Sequence, residues 1–149
     1  MPPIDNLYLL LSEFPASFCS LTYAEVTEPH AEGKWSRLQI LGHLCDSAIN
    51  NLSRFIKVQY EPQPLPLTPY DQNQWMDAQQ YSKTSPEDIL NLWVSLNQTV
   101  LRVISNLTPT QLSLVFQLPQ GGTVTLEWLI EDYLQHMKHH LEQIIPENA

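Results

Sequence analysis

Apolar residues recur along this chain at intervals of three and four in four separate stretches, divided by connections rich in proline or carrying paired glycines, and that pattern predicts an all-α bundle. The first stretch runs from about Asp5 to Leu21, where Leu7, Leu10, Leu11, Phe14 and Phe18 mark one face. Pro15 falls inside it and predicts a kink or a restart after Ser12, because proline removes a helical donor and crowds the preceding turn. The second stretch carries the clearest start signal. Ser36 and Gln39 spell a capping box, with Trp35 and Ile40 placed as a hydrophobic staple around it, so a helix is expected from Arg37 to about Val58. The four prolines of EPQPLPLTP then require an extended connector.

A third helix is expected from SPED, with Ser85 as cap, Pro86 in the first turn, and Glu87 and Asp88 complementing the N-terminus, ending near Asn106. LSLVFQLPQGGTVTL follows. Its partial alternation around Gly121-Gly122 predicts a short hairpin leading into a last helix, capped by Thr125 and running to about Ile145. Trp35, Trp75, Trp93 and Trp128 are expected in the core or in staples, and Cys45 as a small buried apolar residue.

Helical phase brings in the chemistry. With each residue advancing ~100° and His136 set at zero, the apolar residues of the last helix occupy an arc from roughly 20° to 160°. His140 lands near 40°, inside that arc; His136 sits on its edge, and His139 points outward near 300°. Residues four apart project side by side, so His136 and His140 have the spacing of two ligands to one ion. On the second helix His43, Ser47, Asn50 and Arg54 make a polar stripe bordered by Asp46. Spacing alone leaves two readings open for each of these histidines, a ligand facing inward or an ordinary polar residue at a wet boundary. His30 and His139 read as surface residues.

Composition narrows the functional classes. Sixteen acidic against seven basic residues give a formal charge of −9, which repels phosphate backbones and anionic lipid, so neither nucleic acid nor a membrane surface is an expected partner. Cys19 and Cys45 form no CxxC pair, which suits a reducing cytoplasm, and MPPIDN lacks the basic start of a signal peptide. A cytoplasmic protein of one domain, residues 1–149, is the expectation.

Three segments in order, KWSRLQILGHLCDSAINNLSRF, LTPYDQNQW and EWLIEDYLQHMKHHLEQI, resemble the signature segments of the DinB/YfiT-like superfamily of metalloenzymes, nearest its YfiT-like branch and the bacillithiol transferases. The resemblance extends from about Lys34 to the C-terminus, more loosely over the first helix. It implies a four-helix bundle holding a divalent metal, commonly zinc or nickel, through three histidines that fall on His43, His136 and His140. Asp46, Asn50 and Arg54 match positions that the family often fills with these residue types, and stand as candidates beside the metal or against substrate. The implied activity is transfer of a low-molecular-weight thiol cosubstrate to an electrophilic small molecule. Metal-dependent hydrolysis and a non-catalytic metal-binding or interaction bundle are the alternatives, and an iron site using Asp46 with two histidines is a weaker one. Relatives are often dimeric, which adds a homodimer to the expectations.

Overall fold

The computed structural model describes residues 1–146; the last three residues of the expected domain lie outside the described residues. Four long helices form the bundle: α1 (Pro2–Cys19), α3 (Arg37–Lys57), α5 (Pro86–Ser105) and α7 (Leu126–Ile144). Short helices fill the connections, α2 (Tyr23–Thr27), α4 (Gln72–Gln79), a 3₁₀ turn (Tyr81–Lys83) and α6 (Pro109–Leu112). In the bundle α1 and α3 each pack against both α5 and α7, which gives the ring order α1, α5, α3, α7. Leu7, Leu41, Phe55, Trp93, Ile130 and Met137 are among the side chains that close the core between them. No helix among the described residues is long and apolar enough to cross a membrane.

The expected hairpin is present. β2 (Val115–Gln117) pairs antiparallel with β3 (Thr123–Thr125), setting Phe116 opposite Val124. Gly121 and Gly122 make the turn at φ of 104° and 83°, a region that glycine enters without strain. The proline connector adds a strand of its own, β1 (Leu65–Pro66), parallel to β2. Proline is tolerated there because β1 lies at the edge of the three-stranded sheet.

Several expectations are corrected. Pro15 does not break the first helix, which begins earlier, at Pro2, and runs through Pro15 to Cys19. Phe14 and Phe18, on either side of it, are both buried and Phe14 packs on Trp93, so core packing outweighs one missing backbone bond. Ser85 occupies the N-cap of α5 without a side-chain cap bond; the position is exposed, and the first turn is left to Pro86, Glu87 and Asp88. Trp128 is 45 % exposed on the outer face of α7's first turn, beside Thr125, whose hydroxyl accepts the Trp128 N–H. By contrast the capping box of α3 forms as expected, Ser36 Oγ accepting the Gln39 N–H and Gln39 Oε1 accepting the Ser36 N–H. The same device at Thr22 and Glu25 starts α2, which the apolar pattern did not reveal because five residues carry too little periodicity.

Gly42 lets the 3₁₀ turn come against α3. A methyl group built on it would lie 2.6 Å from the Tyr81 ring Cγ, inside van der Waals contact. Alanine gains ~1 kcal/mol over glycine in a helix, whereas overpacking a filled interior costs ~1–3 kcal/mol. Gly42→Ala is therefore expected to lower the unfolding free energy in urea by about 1–2 kcal/mol. An increase would mean that Tyr81 is free to move aside.

Candidate metal centre

α3 and α7 meet at the end of the bundle where α3 begins and α7 finishes. Arg37, in the first turn of α3, holds them there: its Nε donates to the Ile144 carbonyl at 2.9 Å and its Nη1 to the Glu25 carbonyl at 2.8 Å. A guanidinium at the last turn of a helix satisfies carbonyls that have no intrahelical partner and complements the helix dipole. Along this seam α3 presents His43, and α7 presents His136 and His140 from successive turns.

The three rings converge. Their candidate ligand nitrogens all lie within 4.8 Å of one another, and the Nε2 atoms of His136 and His140 are 3.1 Å apart. Ring planes stand nearly perpendicular in every pair, at 81° for His43 and His136, 79° for His43 and His140, and 82° for His136 and His140. Donors ~2.1 Å from a tetrahedral zinc ion lie ~3.4 Å from one another, so the α7 pair is already close to the spacing of two ligands. His43 needs a modest approach to join them. Gln143 sets the tautomer of His140: Oε1 lies 2.8 Å from Nδ1, accepts its proton, and leaves the Nε2 lone pair facing the cluster.

Electrostatics favours the ligand state. Burial, then the neighbouring His140 and His136, lowers His43 from 6.5 to about 4. Burial, then His140 and His139, brings His136 to about 4 as well, and burial lowers His140 against the opposing bond to Gln143. All three imidazoles are thus neutral at pH 7, the form that coordinates a cation. His43 is 2 % exposed and its Nδ1 is buried without a hydrogen-bond partner among the described residues. The donor set, its protonation state and its convergence fit a divalent ion.

The other candidates are placed differently. Asp46 lies fully buried one turn after His43, yet it turns to the 3₁₀ side: Oδ1 accepts the Tyr81 hydroxyl at 2.6 Å and the Gln79 amide at 2.7 Å. Its Oδ2 has no partner among the described residues, and no hydrogen bond joins it to His43. Burial raises the Asp46 carboxyl, opposed by those two bonds. Asn50 donates to the Asp46 carbonyl at 2.8 Å. Arg54 donates to the Thr68 carbonyl at 2.7 Å and sits 5.9 Å from the Tyr70 ring centroid, eleven residues or ~16 Å along α3 from His43. Asn50 and Arg54 line a separate cavity of about 360 Å³ under the proline connector. The structure brings together the three histidines, leaves Asp46 behind His43, and does not bring Asn50 or Arg54 to them.

A cavity of about 590 Å³ opens onto the cluster, lined by His30, Lys34, Trp35, Ile40, His140 and Gln143. Trp35 flanks His43 with ring centroids 5.2 Å apart. His30 and Lys34 on the cavity wall carry no periodic signal because they belong to an exposed loop, and Gln143, in the last turn of α7, looks in the sequence like any outward polar residue of that helix. His30 is exposed, as its sequence position suggested, but it faces this cavity.

Comparison with known proteins gives a consistent picture. Residues 7–144 match the DinB superfamily. A protein of Halalkalibacterium halodurans named "Putative metal-dependent hydrolase BH0277" is 30% identical over 141 residues, covering 95% of this chain and 81% of its own. The solved structure of YfiT from Bacillus subtilis, described as "a probable metal-dependent hydrolase with an unusual four-helix bundle topology", superposes with a TM-score of 0.78 at 27% identity, covering 95% of this chain and 83% of that one. A mycothiol-dependent maleylpyruvate isomerase shares the fold, with a TM-score of 0.76 at 18% identity over 97% of this chain and 60% of its own.

The lowered histidines give stability a sign with pH. In metal-stripped protein the unfolded histidines take up protons as pH falls below 6.5, whereas folded His43 and His136 resist until about 4. Their stabilising contribution is complete above 6.5 and is lost as pH falls through that window. Urea unfolding of the stripped chain is expected to show a larger drop between pH 7 and pH 5 in the wild type than in His43→Gln. Equal drops would mean that His43 titrates as it does in water.

Proposed function

The chain belongs to the DinB superfamily, and on that premise we propose that it is a metal-dependent enzyme acting on small molecules, with His43, His136 and His140 as ligands to one divalent ion, zinc or nickel. The observation that carries this reading is the meeting of three neutral imidazoles from two helices, one of which, His140, lines a ligand-sized cavity. A divalent ion held by only three protein ligands would match catalytic rather than structural zinc sites, which keep a position for water or substrate. A bound divalent cation supplies Lewis acidity, bringing the pKa of a water or thiol toward neutrality and polarising a carbonyl.

Of the reactions open to such a site, transfer of a low-molecular-weight thiol to an electrophilic carbon asks least of the protein. It needs the thiol ionised and the electrophile held nearby. No carboxylate lines the cavity among the described residues, and Asp46 is bonded to Tyr81 and Gln79 behind His43, so a carboxylate general base is not at hand. That a mycothiol-dependent enzyme uses this fold is in keeping with the reading. Hydrolysis is the second reading, favoured by the names of the relatives; His30 on the cavity wall is then the side chain placed to move a proton. In either case Trp35 and Ile40 exclude water from one side, and Gln143 orients His140. Asp46 is a positioning residue in this proposal, fixing α3 against the 3₁₀ turn at the level of His43. Asn50 and Arg54 serve the far end of α3, where Arg54 clamps the connector.

Two experiments test the proposal. Protein purified without a polyhistidine tag is expected to hold about one divalent ion per chain by elemental mass spectrometry, and His140→Ala to lose it. A metal-free wild type, or full metal retention in His140→Ala, would overturn the ligand assignment. The loaded protein is next given 1-chloro-2,4-dinitrobenzene with a thiol such as cysteine, and separately p-nitrophenyl acetate. Metal-dependent conjugation supports thiol transfer; ester cleavage alone, lost in His30→Ala, supports hydrolysis. Asp46→Asn is expected to reduce the observed rate about tenfold or more while metal content stays near that of the wild type. Parallel loss of both would assign Asp46 to holding the metal.

A further inference from the structure

The cavity beside the histidines has a charge character opposite to that of the chain. The protein has sixteen acidic and seven basic residues, yet among the described residues no acidic side chain lines this cavity, and Lys34 does. Lys34 is held in a short loop, not on a free strand of chain. Pro29 and Ser36 close the loop by an antiparallel bridge, the Lys34 N–H donates to the Ala31 carbonyl at 3.1 Å, and Gly33 turns the backbone at a φ of 77°. The next residue, Trp35, stands against His43, so charge and apolar wall are presented by adjacent positions of one constrained segment.

We propose that this cavity selects an organic anion, its apolar body lying against Trp35 and Ile40 and its negative group paired with Lys34 at the mouth. Three features lead there. The volume, about 590 Å³, is that of a small-molecule site; its apolar wall suits a hydrocarbon or aromatic portion; and its formal charge is cationic within an anionic surface. A chain of net charge −9 repels anions at long range, so a site meant for one needs a local cation, and a site meant for a cation would gain from carboxylates, of which the described lining residues include none. Lys34 is thereby a specificity-determining residue. This inference rests on the reading of the histidine cluster as the reaction centre, since that gives the cavity its purpose.

Calorimetric titration of the zinc-loaded full chain tests it, using benzenesulfonate and the neutral methyl phenyl sulfone as probes. A sulfonate is a poor metal ligand, so its binding reports on the mouth of the cavity. The sulfonate is expected to bind about two- to fivefold more tightly at low salt, as one exposed ion pair allows. Lys34→Glu should abolish or invert that preference, Lys34→Arg should keep it, and neither should change zinc content, because Lys34 is exposed on its loop. Equal affinities in the wild type, no binding of the sulfonate, or a preference unchanged by Lys34→Glu would each overturn the proposal. A chain that holds no zinc but still prefers the sulfonate through Lys34 would defeat the metal reading and uphold this one; zinc bound with no preference would do the reverse.

Discussion

The histidine end of this bundle depends on keeping the first turn of α3 against the last turn of α7, and one guanidinium spans that junction. Arg37 bonds the Ile144 carbonyl across 107 positions of sequence and the Glu25 carbonyl in α2. Hydrogen bonds from a charged donor contribute ~1.5–3 kcal/mol each, more than neutral ones, and here they act where helices ordinarily fray. With the two ends tied, the phase of each helix decides which side chains meet. That is why one histidine from α3 and two from α7 share a wall although nothing in the local sequence of either helix refers to the other.

The polar stripe of α3 shows how the fold separates tasks along a single helix. His43, Asp46 and Ser47 are nearly or fully buried, roofed by α4, the 3₁₀ turn and the connector that follows α3. Burying polar groups is costly unless they find partners, and each segment of the stripe finds a different kind. Asp46 has the Tyr81 hydroxyl and the Gln79 amide, Asn51 donates to the Ser47 carbonyl, and Arg54 reaches the connector at Thr68. Among the described residues Asp46 keeps one carboxylate oxygen without a partner, and His43 has an unpaired ring nitrogen together with two other imidazoles in front of it. The same stripe is thus structural at its far end and open to a ligand at its near end.

Much of this was legible in the sequence because the signals are local. The Ser36 and Gln39 box, the Gly121-Gly122 turn and the Thr125 cap each act over about four residues, and each is found where the pattern placed it. The inward phase of His140 followed from helix geometry. Burial by distant segments could not be read in the same way: the stripe of α3 looks like a wet face until the connector and the 3₁₀ turn are folded over it. That the helix does not restart at Pro15 has the complementary reason, since the proline's cost is local and the packing of Phe14 on Trp93 that outweighs it is not. The loop bearing Lys34 and Trp35 had no periodicity to betray it, and its place beside the histidines follows only from the meeting of α3 with α7.

The hairpin leads straight into α7, with Thr125 ending β3 and capping the helix whose eleventh and fifteenth residues are His136 and His140. The sheet therefore works as an indexing stop for the rotation of that helix. Adding one residue between the stop and the rings would turn both by ~100° and swing them off the seam, whereas adding four, just over a turn, would bring them back to within ~40° while sliding them ~6 Å along the axis. Among natural variants of this chain, length changes should collect in the loops flanking the hairpin and be missing from the stretch between Thr125 and His140.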